Sequence, residues 1–347
     1  MTHPSTVTEG LPTQGRAETP IAFIKAIVAA YAQRGLSAEE ALAKAQIEPN
    51  LLKKRNARVT AMQMELMSGI AMQELDDEGL GWFSRRLPWG SYGLLVRASL
   101  TSPTLGLALQ RWCRHHALLT DDIRLALTEH NGIATLQLDE VRDLGGFREF
   151  CVVSVLRNAL GVACWLTDSR IPLTATHLRF APPLHADSYS VLFDGPTHFN
   201  ATTHGLQFDA GYLALPVRRD EAALQQMLQR ALLLTVRPYR RDRLLVEKVR
   251  QTLAQHPEHS RNAEDLAAWM NMSARTLHRQ LKEEGASLQA LKDAVRRDVA
   301  MAQLQRTSRP LKQVAEAAGF QNEKSFIRAF KTWTGTSPET FRQQQRR

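Results

Sequence analysis

"VAEAAGFQNEKSFIRAF", residues 314 to 330, reads as two short helices broken by a glycine. At roughly 100° per residue, Phe326, Ala329, Phe330 and Trp333 fall within one arc of about 100°, the width of stripe that a helix buries against a core. Lys324, Ile327, Arg328 and Lys331 fall on the opposite arc, which predicts three cations and a bare isoleucine pointing away from the domain. Single exposed apolar residues are common, so this face alone is also compatible with plain solvation. The rest of the chain decides between the two.

The same pattern occurs upstream in "LAAWMNMSARTLHRQL", residues 266 to 281. Leu266 and Ala267 match Val314 and Ala315, and Asn271 and Met272 match Gly319 and Phe320, at an offset of 48; Leu277 and Leu281 match Phe326 and Phe330 at an offset of 49. The second copy has one more residue in its turn. Asn271 and Gly319 hold the same turn position, and these two residue types tolerate a left-handed backbone best. Ser273 and Asn322 stand where an N-cap is expected, able to accept a bond from the free N–H groups of the following helix. Each copy therefore reads as helix, sharp turn, helix. Arg275, His278, Arg279 and Lys282 occupy the angles around Leu277 that Lys324, Ile327, Arg328 and Lys331 occupy around Phe326. A helix-turn-helix places its second helix in the DNA major groove, where cationic and amide side chains meet base edges and an aliphatic one meets a thymine methyl. On this reading the residues expected to face DNA are Arg275, His278, Arg279 and Lys282, then Glu323, Lys324, Ile327, Arg328 and Lys331.

Between the copies runs "LQALKDAVRRDVAMAQLQRT", residues 288 to 307, with apolar positions at Leu288, Leu291, Val295, Val299 and Ala302 and neither glycine nor proline. One continuous helix is predicted, ended at Thr307-Ser308-Arg309, with Pro310 suited to the start of the next. Such a connector would hold two reading heads at a fixed separation along one duplex.

Charge is segregated in the same direction. Of the chain's net +9, residues 237 to 347 carry +10, from 22 Lys and Arg against 12 Asp and Glu, and the preceding residues carry −1. Excess positive charge confined to one module points to a polyanion, with duplex DNA the leading candidate. A length of 347 residues suggests two domains, and 44% hydrophobic residues suffice to fill both. No uninterrupted run of eighteen apolar residues occurs, and the first twenty residues lack a basic start followed by an apolar stretch, so neither a membrane span nor a signal peptide is expected. Cys113, Cys151 and Cys164 are odd in number and widely spaced, as suits reduced thiols in a cytoplasmic protein.

Residues 240 to 343 resemble the AraC/XylS transcription regulators. The resemblance rests on "MSARTLHRQLKEEGASL" (272 to 288), on Arg297, Ala300 and Leu304 of the connecting helix, and on "VAEAAGFQNEKSFIRAFKTWTGTSPETFR" (314 to 342). It implies that Gly335, Pro338 and Phe341 form the turn and last helix bracing the second head. Asn271 departs from the family's usual glycine, and Glu323 departs at the start of the second reading helix. More loosely, "LPWGSYGLLVRASLTSPTLGLALQRWCRHH" (87 to 116), "IRLALTEHNGIATLQL" (123 to 138) and "HFNATTHGLQFDAGYLALP" (198 to 216) look like the effector-binding domain of a branch that senses amino acids, amines and other small metabolites.

The expected fold is an α+β N-terminal effector domain plus an all-α C-terminal domain of two helix-turn-helix subdomains joined by a linker helix. The expected divisions are a disordered tail at 1 to 18, an effector domain at 19 to 220, a helical linker at 221 to 242 broken near Pro238, and the DNA-binding domain at 243 to 347. Helices are predicted near 20 to 35, 60 to 76, 103 to 118 and 149 to 165. Strands are predicted on either side of Asn131-Gly132 and near 176 to 180 and 205 to 209. By resemblance, the function is that of a sequence-specific transcriptional regulator, an activator, controlled by a small-molecule effector. Its implied partners are double-stranded DNA, the effector and RNA polymerase; a homodimer is allowed, and no cofactor, metal or membrane is expected. The rival readings are an architectural or effector-independent DNA-binding protein and, more remotely, an enzyme. Raw material for catalysis is limited to Cys113, His115, His116, His198 and His204, without a helical metal pair, a nucleophile elbow or a phosphate-cradling loop. Trp89, Tyr92 and Trp112 fit core positions better than a pocket.

Overall fold

The computed structural model describes residue 13 and residues 16 to 229, 242 to 256 and 262 to 344. The chain divides into two compact units, residues 1 to 240 and 241 to 347.

In the first unit, strand β1 (Ala17–Pro20) leads into helix α1 (Ile21–Gln33) and a short α2 (Glu39–Lys44). Strand β2 (Arg58–Thr60) pairs antiparallel with β1 and runs into α3 (Ala61–Glu74), whose first turn is closed reciprocally by the Thr60 and Gln63 side chains. Ala17 and Glu18, expected in a disordered tail, thus belong to a sheet. Most of that tail and the break at Pro238 lie outside the described residues. Helices α4 (Ser91–Leu100) and α5 (Leu105–Leu119) follow. The loop before α4 is fixed from within: the buried Asp77 carboxylate accepts from the backbone N–H of Gly79, Gly81 and Leu87, and Glu78 accepts from Gly90 and Tyr92.

The hairpin of β3 (Ile123–His130) and β4 (Ile133–Glu140) turns through Asn131 at φ 50° and Gly132 at φ 76°, two left-handed residues in a two-residue loop, as Asn-Gly predicts. After it come α6 (Arg148–Thr167), β5 (Leu173–His177), the single turn α7 (Tyr189–Leu192), β6 (Thr197–His198), β7 (His204–Asp209) and α8 (Glu221–Leu228). The sheet order is β3-β4-β7-β5-β6, antiparallel except for the β5–β6 pair. Strand β5 begins three residues before the predicted position, because an irregularity between Leu173 and Ala175 breaks the alternation on which the reading depended. The unit is therefore α+β, as expected.

Helix α6 with its preceding turn, Gly145–Thr167, is long and apolar enough to cross a membrane by length and composition, yet 83% of its most apolar window is buried inside the fold, the mark of a core helix. Trp112 is buried and stacks on Tyr92 at 6.1 Å between ring centroids, whereas Trp89 is 49% exposed and belongs to no core. All three cysteines are buried and free.

The second unit is all-helical among its described residues: α9 (Leu244–Gln255), α10 (Ala263–Trp269), α11 (Ala274–Glu283), α12 (Leu288–Arg306), α13 (Leu311–Ala317), α14 (Glu323–Thr334) and α15 (Pro338–Gln344). It has two cores. The first is aliphatic, built from Leu245, Val249, Leu253, Leu266, Leu277, Leu281 and their neighbours. The second centres on Phe326 and Phe330 with Leu304 and Val314, flanked by Phe320, Trp333 and Phe341. Helix α12 belongs to both. Leu288 and Leu291 enter the first core and Ala300 and Leu304 the second, so a rod of about 28 Å at about 1.5 Å per residue fixes the two subdomains to each other.

Candidate nucleic-acid interface

Each subdomain presents the second helix of a pair. In the first, α10 turns into α11 through Asn271 at φ 54°; in the second, α13 turns into α14 through Gly319 at φ 76°. Asparagine thus takes the conformation that glycine takes in the other copy. Ser273 Oγ accepts from the Thr276 backbone N–H at 3.1 Å, and Asn322 Oδ1 from Ser325 at 2.8 Å, capping both helices at the predicted residues.

The buried face of α11 is Leu277 and Leu281, and that of α14 is Phe326 and Phe330, all four fully buried. Opposite them, Arg275, His278, Arg279 and Lys282 are exposed on α11, and Lys324, Arg328 and Lys331 on α14. Arg279 lies 3.8 Å from Glu283 one turn on, but both side chains are about two-thirds exposed (68% and 67%), so the pair leaves the guanidinium free to exchange partners.

Two residues of α14 differ from expectation. Ile327 is not bare: it is half-buried and packs against the second core. At about 100° per residue it lies only about 60° from Phe330, on the border of the apolar stripe, and the flanking aromatic rings widen that stripe to include it. Glu323 is half-buried as the first residue of the helix, where a carboxylate complements the positive end of the helix dipole. That gives it a helix-stabilising role beside any contact with bases.

Other residues that brace the heads escaped the sequence reading. The Arg296 guanidinium sits over the Phe320 ring at 5.3 Å, clamping the second turn onto α12. Arg342 of α15 donates to the Arg309 carbonyl at 2.7 Å, tying the last helix to the segment before α13. Neither has a local signature, since partners 24 and 33 residues apart are joined only by folding.

Glu284, at the C-terminus of α11, accepts from the Val246 backbone N–H at 2.8 Å and so joins α11 to α9. Burial pushes its carboxyl up to about 7 from 4.5. The native state then holds the proton more tightly than the unfolded state, so stability is greatest below the unfolded value of 4.5 and falls as pH rises towards 7. Glu284→Gln, which keeps an acceptor oxygen without the charge, should therefore melt above the wild type at pH 8, and the difference should shrink by pH 5. Melting curves at the two pH values check this, and a pH-independent difference would contradict it.

The residues of the enzymatic reading lie in the first unit. Burial pushes the Cys113 thiol up to about 12 and the His116 imidazole down to about 4, so both stay neutral, opposite to an activated thiolate–imidazolium pair. His204 is buried with Nε2 3.5 Å from Glu140, His115 is half-buried and His198 is exposed. Among the described residues no group of three or more His, Cys, Asp or Glu side chains is placed to hold a metal.

Comparison with known proteins matches residues 35 to 217 to the arabinose-binding domain of AraC transcription regulators and residues 266 to 344 to a helix-turn-helix domain. The ornithine utilization regulator of Pseudomonas aeruginosa is 28% identical over 328 residues, covering 93% of this chain and 96% of its own. An uncharacterised HTH-type transcriptional regulator of Mycobacterium tuberculosis is 26% identical over 341 residues, covering 95% and 98%. The crystal structure of the transcriptional regulator CdpR of Pseudomonas aeruginosa aligns over 90% of this chain and 98% of its own, at 20% identity and a TM-score of 0.34.

Proposed function

The chain belongs to the AraC-type transcription regulators, DNA-binding proteins with an N-terminal effector-binding domain, and from that premise we propose that it reads a bipartite operator with α11 and α14 under the control of a small metabolite. The observation that carries this reading is the repeated exposed polar face, with the cations Arg275, Arg279 and Lys282 beside His278 on one helix and Lys324, Arg328 and Lys331 on the other, borne by subdomains that share α12. Ile327 contributes through its exposed edge, and Glu323 at the first turn. In this division of labour residues 19 to 220 sense, 221 to 242 join and 243 to 347 read. An effector among amino acids, amines and related metabolites is supported by the similarity to a regulator of ornithine utilization. Activation, contact with RNA polymerase, a homodimer and a cytoplasmic location belong to the same reading and rest on family membership.

Two arginine replacements test the proposal. On DNA selected by the wild-type protein, Arg279→Ala and Arg328→Ala should each weaken specific binding by about 1 to 3 kcal/mol and relax preference in a different half of the site. A footprint and a competition titration against random DNA separate the outcomes. Equal loss on random DNA would assign that arginine to phosphate positioning, and no loss on either DNA would remove α11 or α14 from the interface.

A further inference from the structure

Helix α12 passes from one core to the other near its middle, and the crossing is charged. Val295 is the last of its side chains packed against the first core, and Val299 is the first packed against the second. Between them stand Arg296, Arg297 and Asp298. Two of these continue the apolar stripes past the crossing. Asp298 follows Leu291 and Val295 at helical spacing, on the face of the first core, and Arg250 of α9 reaches it from that subdomain, donating to Asp298 Oδ2 at 3.2 Å. Arg296 precedes Ala300 and Leu304 by one and two turns, on the face of the second core, and its guanidinium covers the Phe320 ring at 5.3 Å. A Cβ on Gly319 would come within 3.6 Å of Arg296 Nε, so this side chain lies against the turn between α13 and α14 itself. Each subdomain thus holds α12 beyond the end of its own core, and the two holds overlap. The Phe320 ring is fixed in turn, 5.6 Å from Phe326 and 5.8 Å from Trp333, both on α14.

We propose that Arg296 is a positioning residue for DNA recognition: acting through Phe320, it sets the roll of α14 about α12 and so the number of base pairs between the two half-sites that the protein accepts. The buried side chain of α12 nearest the crossing on the second core's side is Ala300, whose single methyl group makes a shallow ridge for a neighbouring subdomain to pack on. A planar cation over a ring supplies the directional contact that a methyl group does not. The Arg250–Asp298 pair holds the same stretch of α12 to the first head, so a shift at Arg296 appears as a change in the angle between heads and not as a movement of the whole rod. Each base pair added to a spacer turns the second half-site by about 34° and moves it by about 3.4 Å, a difference that two heads held at a fixed roll resolve. The proposal rests on the bipartite reading of α11 and α14.

Competition titrations of the full-length chain test it on DNA selected by the wild type, with the spacer shortened by one base pair, unchanged, or lengthened by one. A wrong spacer should cost the wild type about tenfold or more, as a single mismatched base pair does. In Arg296→Ala that preference should narrow to about threefold or less, while affinity for an operator with one half-site scrambled stays within about twofold of the wild type. Phe320→Leu, which removes the ring and no cation, should narrow the preference in the same way, and the double variant should narrow it no further, because the two side chains act as one contact. If Phe320→Leu fails to fold, Arg296→Ala on the spaced and scrambled operators still decides. A uniform loss on every operator, with a salt slope lower by about one, would make Arg296 a phosphate contact and overturn the proposal. Unchanged spacing preference in Arg296→Ala would overturn it while leaving the bipartite reading intact. Equal binding of all spacers by the wild type would overturn both.

Discussion

Phe330→Ala should unfold the second reading head while leaving the first intact. The side chain is fully buried, its ring 5.7 Å from Phe326 and 5.5 Å from Phe341, so its removal cuts the contact between α14 and α15 as well as the centre of the core. Truncating a buried phenylalanine costs about 3 to 5 kcal/mol. The second core has seven buried residues, three of them alanines, and its two phenylalanines are the largest of the seven. A unit this small has little stability beyond that loss. The first core contains no phenylalanine and takes the other end of α12, so its helices should persist. Hydrogen exchange should show lost protection over residues 311 to 344 with residues 263 to 291 retained, and DNA protection should shrink to one half of the operator. Unchanged melting and exchange would mean that the buried and outward faces of α14 are assigned the wrong way round.

Residues 240 to 347 should bind duplex DNA without the first unit, and the affinity should collapse with salt. All of the chain's excess positive charge lies in this segment. Each phosphate met by Lys or Arg releases condensed counterions, so a module making roughly six to ten such contacts loses about 10³ to 10⁵ in affinity between about 50 and 200 mM salt. On the proposed reading, the six exposed Lys and Arg side chains of α11 and α14 supply many of those contacts. Binding titrations at four salt concentrations give the slope. A flat dependence, or no complex at low salt, would refute the electrostatic reading. Responsiveness of this fragment to the effector would move sensing out of the first unit.

The sequence by itself determined what depends on near neighbours. A cap is a side chain bonding to a backbone three residues on, a left-handed turn is a property of one residue, and an apolar stripe repeats every three or four positions. Ser273, Asn322, Asn271, Gly319, the Asn131-Gly132 turn and the faces of α11 and α14 were therefore legible from the order of residues. So was α12, though not its division between two cores, which depends on what packs against each end.

Tertiary structure decided whatever depends on partners distant in the chain. Ile327 sits at the edge of its stripe, where helical periodicity is ambiguous and the packing of the second core settles how much of it is covered. Trp89 has a core composition and a surface position, because the loop carrying it is held by Asp76, Asp77 and Glu78 and not by its own apolarity. Ala17 and Glu18 read as tail until Arg58–Thr60 supplies a strand to pair with. Arg157 reads as one charge interrupting an apolar helix. Only when β1, α3 and α7 are brought beside α6, from positions about 30 to 140 residues away, does it become a buried side chain, because the burial that lowers its basicity is created by segments its own sequence context does not contain.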